Sequence, residues 1–143
     1  MKLQDFDFRI WDKHHKGCGN KDCKCQTKYV YGEEAKTRLS EFKEDCEIEL
    51  FTGLCDKNGN KIYENDILKF SFSFYDGTRT QEVIAYANAI TYNGLFFTSK
   101  DNGLFPRIDW YSYEQLEEEF TFSMEIIGNI HENKELLNET TRF

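Results

Sequence analysis

From Ile67 to Phe74 the chain reads Ile-Leu-Lys-Phe-Ser-Phe-Ser-Phe, with Leu68, Phe70, Phe72 and Phe74 at a period of two and Lys69, Ser71 and Ser73 between them. Successive side chains of a strand point to opposite faces, so this alternation specifies a half-buried strand whose aromatic face is a wall of the core. Two turn signals precede it. Asn58-Gly59 suits a type I′ turn, whose two central positions need φ > 0, and Glu64-Asn65-Asp66 is a second polar kink. A strand, a tight turn and a longer strand are therefore predicted over residues 50–74.

The rest of the chain carries similar punctuation. Residues 6–11 alternate as a first strand, and Tyr29, Val30 and Tyr31 form a short second one. Ala35, Leu39, Phe42 and Cys46 recur at spacings of four, three and four, which predicts one helix over residues 33–46 with Glu33 and Glu34 at its positive end. Thr80 to Tyr92 reads as a long strand, with Val83, Ala85, Ala87 and Ala89 on one face and a bend near Asn88. Asn93-Gly94 and Asp101-Asn102-Gly103 are further turns around a strand at residues 95–98. Ser112 and Gln115 have the form of a capping box for a helix from Tyr113 to Glu119, residues 124–130 read as a last strand, and Leu136 and Leu137 dock back from a terminal turn. The predicted class is mainly β, a compact antiparallel meander or barrel over residues 46–143, with a strand, loop and helix subdomain over residues 1–45.

A chain of 143 residues can bury one real core, and 16% aromatics with a single Pro is a folding composition. The formal net charge is −8. Residues 1–45 hold ten Lys and Arg against nine Asp and Glu, while residues 46–143 hold eight against seventeen. The C-terminal part would repel a phosphate backbone, which ranks nucleic-acid binding below binding to a protein partner or self-association. No basic-then-apolar leader occurs, and no apolar run approaches the roughly 20 residues that span a bilayer. The expectation is a cytoplasmic protein with reduced thiols and no membrane contact.

Candidate chemistry concentrates in residues 12–28, where five Lys face two Asp and almost nothing is apolar besides Cys. His14, His15, Cys18, Cys23 and Cys25 are ligand types that suit tetrahedral zinc, which would tie down a 17-residue loop. The Cys-x₄-Cys-x-Cys spacing departs from the Cys-x₂-Cys knuckle, so reduced thiols on an exposed loop stand beside a zinc site with His14, Cys18, Cys23 and Cys25 as ligands. Asp56, Asn58 and Asn60 echo a calcium loop, but Lys61 stands where its Gly is required and Ile67 where its closing Glu is required. Glu64 with Asp66, and Glu117, Glu118 and Glu119, could be drawn as acid and base pairs, although carboxylates so spaced more often form a solvated edge. Phe70, Phe72 and Phe74 could stack bases, yet single-strand binders pair aromatics with a positive groove, and core packing suits this acidic setting better. No nucleophile motif and no Gly-rich phosphate loop occurs, and the expectation is a non-enzyme.

Residues 52–67, Thr-Gly-Leu-Cys-Asp-Lys-Asn-Gly-Asn-Lys-Ile-Tyr-Glu-Asn-Asp-Ile, and residues 125–133, Glu-Ile-Ile-Gly-Asn-Ile-His-Glu-Asn, closely resemble the two signature segments of the YopX family. Residues 8–13, Phe-Arg-Ile-Trp-Asp-Lys, resemble its opening motif. The resemblance implies a phage or prophage protein, mainly β, with an SH3-like small barrel in the C-terminal part and no assigned function. The family usually has Gly where this chain has Asn65, the non-Gly residue that best tolerates φ > 0. The Cys-rich loop has no counterpart in that pattern. Together these readings predict a non-catalytic module that binds a macromolecule. The alternatives are a barrel that meets nucleic acid through the basic loop, and a zinc-stapled adaptor.

Overall fold

A computed structural model describes residues 7–14, 28–74, 79–88, 94–99 and 108–138, and the chain divides into two compact units, residues 1–51 and 52–143. The described strands are β1 (Phe8–Trp11), β2 (Tyr29–Tyr31), β3 (Glu47–Cys55), β4 (Lys61–Tyr63), β5 (Asp66–Phe74), β6 (Arg79–Ala87), β7 (Phe97–Thr98) and β8 (Thr121–Asn129). Two short α-helices, α1 (Gly32–Thr37) and α2 (Tyr113–Glu119), accompany them. The protein is thus mainly β, with antiparallel pairing throughout its described registers.

In the first unit β1 is central, with Ile10 opposite Val30 of β2 and opposite Ile48 of β3. Phe8, Ile10 and Val30 share one face and are buried with Ala35 of α1, while Phe42, Cys46 and Leu50 pack on that cluster. The opposite face carries Arg9 and Glu49, which are cross-strand partners joined at 2.8 Å and almost wholly buried. The Arg9 guanidinium also lies 3.9 Å from the centre of the Tyr29 ring. A buried pair of this kind is held by a charge-assisted hydrogen bond, and removing one partner leaves a stranded charge.

The single helix expected over residues 33–46 is two pieces: α1 stops at Thr37, and a 3₁₀ turn follows at Leu39–Glu41. Thr37 is β-branched, and its hydroxyl donates to the Glu34 carbonyl at 2.9 Å. Arg38 leaves helical backbone at φ −116° and spans both pieces, with Glu34 and Glu41 each at 3.0 Å. The apolar stripe survives except at Leu39, which is exposed.

In the second unit the strand order is β7-β6-β5-β8, with β5 central and β8 at one edge. The alternation read in β5 holds, since Leu68, Phe70 and Phe72 have no exposed surface. They pack with Ile62, Val83, Ala85, Ala87, Phe97, Leu116 and others in the main core. The Phe74 side chain lies outside the described part. Phe70 and Phe72 are enclosed by rings, Phe97 edge-on at 4.9 Å and Phe122 at 5.3 Å. They are core and not a base-stacking platform. On the other face Ile67, Ile84 and Leu137 form a smaller cluster, so the terminal 3₁₀ turn Lys134–Asn138 docks as expected.

Strand β6 ends earlier than expected, at Ala87. Asn88 donates its N–H to the Phe96 carbonyl and accepts the Thr98 hydroxyl on its side chain, so the anticipated bend is where the strand stops. Residues 89–93, on which the longer strand depended, lie outside the described residues, as do the turns at 75–78 and 101–103. The capping box is present: Ser112 accepts the Gln115 N–H, and the Gln115 side chain accepts the Ser112 N–H.

Both signature segments are structural joints. Asn65 has φ 70°, the conformation for which a Gly or Asn is suited. It donates to Ala87 C=O at 2.8 Å and accepts from Ile130 N–H at 3.0 Å, joining the ends of β6 and β8. In the other segment the register slips between Ile67 and Leu68, leaving Ile127 as a bulge. Beyond it Asn129 accepts the His131 and Glu132 N–H groups, and Asn133 accepts the Asn129 N–H. Gly128 makes room for this, because a Cβ there would lie 2.6 Å from Asn133 Oδ1.

Phe72→Ala is expected to cost about 3–5 kcal/mol in urea unfolding, the usual range for a buried Phe. Gly128→Ala should cost about 1–3 kcal/mol by displacing Asn133, and an unchanged unfolding midpoint would show that Asn133 is free to move aside.

Candidate functional site

The clearest site in the second unit grows from the turn between β3 and β4. Residues 56–60 close a three-residue hairpin loop and not the expected two-residue type I′ turn. Asn58 keeps a negative φ, and Gly59 alone in the loop is left-handed, at φ 84°. Asp56 N–H donates to Asn60 C=O, and Gly59 N–H to Asp56 C=O. A type I turn followed by a left-handed Gly is the standard alternative for such loops.

Asp56 selects this form. Its Oδ1 accepts the N–H groups of Asn58 at 3.0 Å and Asn60 at 2.9 Å, the side-chain-to-backbone bonding that favours Asp in turns. Its Oδ2 accepts the N–H of Ile126 in β8 at 3.1 Å. Burial alone would raise the pKa of this carboxyl, but the three backbone donors outweigh it and hold the value below the usual carboxylate range. Both carboxylate oxygens of Asp56, the charged residue of the calcium-like motif, are thus occupied by backbone N–H groups.

Lys57 N–H donates to Met124 C=O at 2.9 Å, so the turn is laid against the edge of β8. Above it an open cleft of about 450 Å³ runs along that edge to α2. Its walls are Cys55 at the end of β3 and Lys57 on the turn, Tyr113 and Glu117 on α2, and Phe120 and Phe122 leading into and along β8. Tyr113 meets the Phe122 ring edge-on at 6.1 Å. Burial, then the charge of Glu117 one turn on and its hydrogen bond to the hydroxyl, raise the Tyr113 pKa. Lys57 is engaged by Glu125 at 3.5 Å, while Glu117, Glu118 and Glu119 are exposed. The cleft therefore combines aromatic rings with an acidic rim.

The other residues singled out in the sequence are scattered. Asp66 is buried and accepts the Tyr63 N–H at 2.8 Å, a structural role in the kink. His14 Nε2 lies 3.1 Å from Asp45, which also meets Lys13 at 3.0 Å. Those two contacts, Lys13 first, lower the Asp45 pKa. Cys18, Cys23, Cys25 and His15 lie outside the described residues, and among the described residues no three metal-ligating side chains gather. Asp12 N–H donates to Lys28 C=O at 2.9 Å, which brings the two ends of the basic stretch together. Cys46 and Cys55 are free thiols, and burial raises the pKa of Cys46. No described helix is long and apolar enough to cross a membrane. The cleft itself had escaped sequence reading, because its three walls come from segments up to about seventy residues apart; the only local signal was the capping box that fixes α2.

Comparison with known proteins gives a family. The family described as YopX protein matches residues 7–138. Among solved structures the chain is similar to a protein from Enterococcus faecalis, "Crystal structure of protein EF1440 from Enterococcus faecalis", at 22% identity and TM-score 0.44, covering 92% of this chain and 97% of that one. No curated protein matches.

Because the Asp56 pKa is lower in the folded state, its stabilisation is present above the unfolded value near 4 and is lost as the pH falls through the folded value. Asp56→Ala, which strands three N–H groups, should cost on the order of 2–3 kcal/mol at pH 7. Asp56→Asn should flatten the acid limb of a stability profile measured by urea unfolding from pH 7 to 3, and an unchanged limb would assign that pH dependence to other carboxylates.

Proposed function

The chain belongs to the YopX protein family, and from that membership and the cleft on β8 we propose that it is a non-catalytic binding module for a protein partner. The observation that carries this reading is the composition of the cleft: aromatic rings of Tyr113, Phe120 and Phe122 beside the exposed Glu117, on the rim of a rigid sheet. Aromatic surface next to a polar rim is the make-up of recognition sites. The second unit is taken as the SH3-like small barrel, and the cytoplasm of a phage- or prophage-bearing bacterium as the setting, both on the family resemblance. Nucleic-acid recognition ranks lower because the cleft rim is acidic. The basic-loop and zinc-stapled readings rest on residues 12–28, and zinc content of the purified protein tests the second of them.

Anisotropy titrations against a peptide array and a labelled single-stranded oligonucleotide separate the classes. Peptide binding that persists as salt rises, and weakens at least tenfold in Glu117→Lys, is expected. Tight oligonucleotide binding whose affinity falls steeply with salt, by a log–log slope of roughly −0.7 per neutralised phosphate, would overturn the proposal.

A further inference from the structure

The edge of β8 adds a main-chain recognition element to the cleft. In an antiparallel ladder the N–H and C=O of one residue point to the same side, and the side alternates along the strand. Met124 C=O accepts from Lys57 and Ile126 N–H donates to Asp56, so the even-numbered residues of this stretch point away from β5. The opposite neighbour of β5 agrees. Ile84, opposite Lys69, accepts the Ser99 hydroxyl on its carbonyl and so points away from β5, which leaves Lys69 to bond with Glu125. By the same alternation the N–H and C=O of Phe122, opposite Phe72, point outward along the floor of the cleft. Among the described residues strand β8 is last in the order β7-β6-β5-β8, and no described strand pairs with its outer edge.

Resting on the protein-binding reading above, we propose that the partner is bound as an extended, arginine-bearing peptide segment that adds as a strand to β8 over residues 121–124. Strand addition draws affinity from the main chain and selectivity from pockets for alternate side chains. Charge complementarity selects the occupant. Glu117 stands at the rim beside Tyr113, with Glu114 and Glu118 three residues before and one after it on the exposed side of α2. Residues 46–143 carry a formal excess of nine negative charges, as counted above. A guanidinium can pair with a carboxylate while its plane stacks on an aromatic ring, and Glu117 with Tyr113, Phe120 and Phe122 offers both partners in one cleft. Lys57 closes the far end, because its N–H already occupies Met124 C=O.

The test is selection from a random decapeptide display library against the whole protein, followed by synthesis of the enriched peptides. The proposal expects Arg-containing sequences that slow hydrogen exchange at the Phe122 amide at least tenfold and bind at least tenfold more weakly to Glu117→Lys. Single N-methylation along the peptide should abolish binding at the one position whose N–H meets Phe122 C=O and leave the adjacent positions within about twofold, because Met124 C=O is already taken by Lys57. Cleft binding without such a sensitive position would overturn strand addition while leaving the binding-module reading intact. Enriched peptides that are acidic would overturn the assigned partner. No peptide that shifts cleft resonances, together with oligonucleotide binding, would overturn both. A protected Phe122 amide in the free protein with the mass of a dimer would assign the edge to a second copy of the chain and overturn the proposal.

Discussion

The second unit depends on one carboxylate. Asp56 is nearly buried and accepts three backbone N–H groups, two from its own turn and one from Ile126, seventy residues away. Each bond to a charged acceptor is worth more than a neutral one, and all three would be lost together. The turn alone would make a hairpin, and β8 alone an edge strand. Joined by Asp56 and by the Lys57 to Met124 bond, they become a corner of fixed shape. The lowered pKa of Asp56 follows from this geometry, since the donors stabilise the charged form more than burial opposes it.

A second joint repeats the logic at the other end of β8. Asn65 holds both β6 and the chain after β8 through its own N–H and C=O, which requires its left-handed backbone. Gly128 permits the Asn133 side chain to reach Asn129, which in turn caps the following turn. Asp56, Asp66, Asn129 and Asn133 of the two signature segments are thereby consumed in satisfying backbone groups. That is why their oxygen-rich composition imitates metal or acid–base sites without gathering ligands there.

Legibility in the sequence followed the range of the interaction. The β5 alternation, the Ser112 and Gln115 capping box and the tolerance of Asn65 for positive φ are local, and they were readable. The three-residue turn was not, because Asn58-Gly59 permits a type I′ turn and the choice was made by the Asp56 side chain. The helix over residues 33–46 failed at Arg38, where a Thr hydroxyl and two ion pairs favoured a break that apolar spacing does not register. The cleft was invisible for a different reason: Cys55, Tyr113 and Phe122 share no period, and only strand order makes β8 an edge.

An open edge is a hazard for aggregation, and proteins ordinarily blunt it with charge, bulges or a covering segment. Strand β8 is blunted along only part of its length. The bulge at Ile127 and the Asp56 turn protect it from Met124 onward, and α2 supplies charge at the other end. Between them lies Phe122, in a cleft shared by the rings of Tyr113 and Phe120 and the carboxylate of Glu117. The turn also imposes a stop, because a strand added beside Phe122 meets Lys57 at Met124 and can slide no further. Register, the weak point of strand pairing along a plain edge, is in this way set by the same turn that Asp56 holds in place.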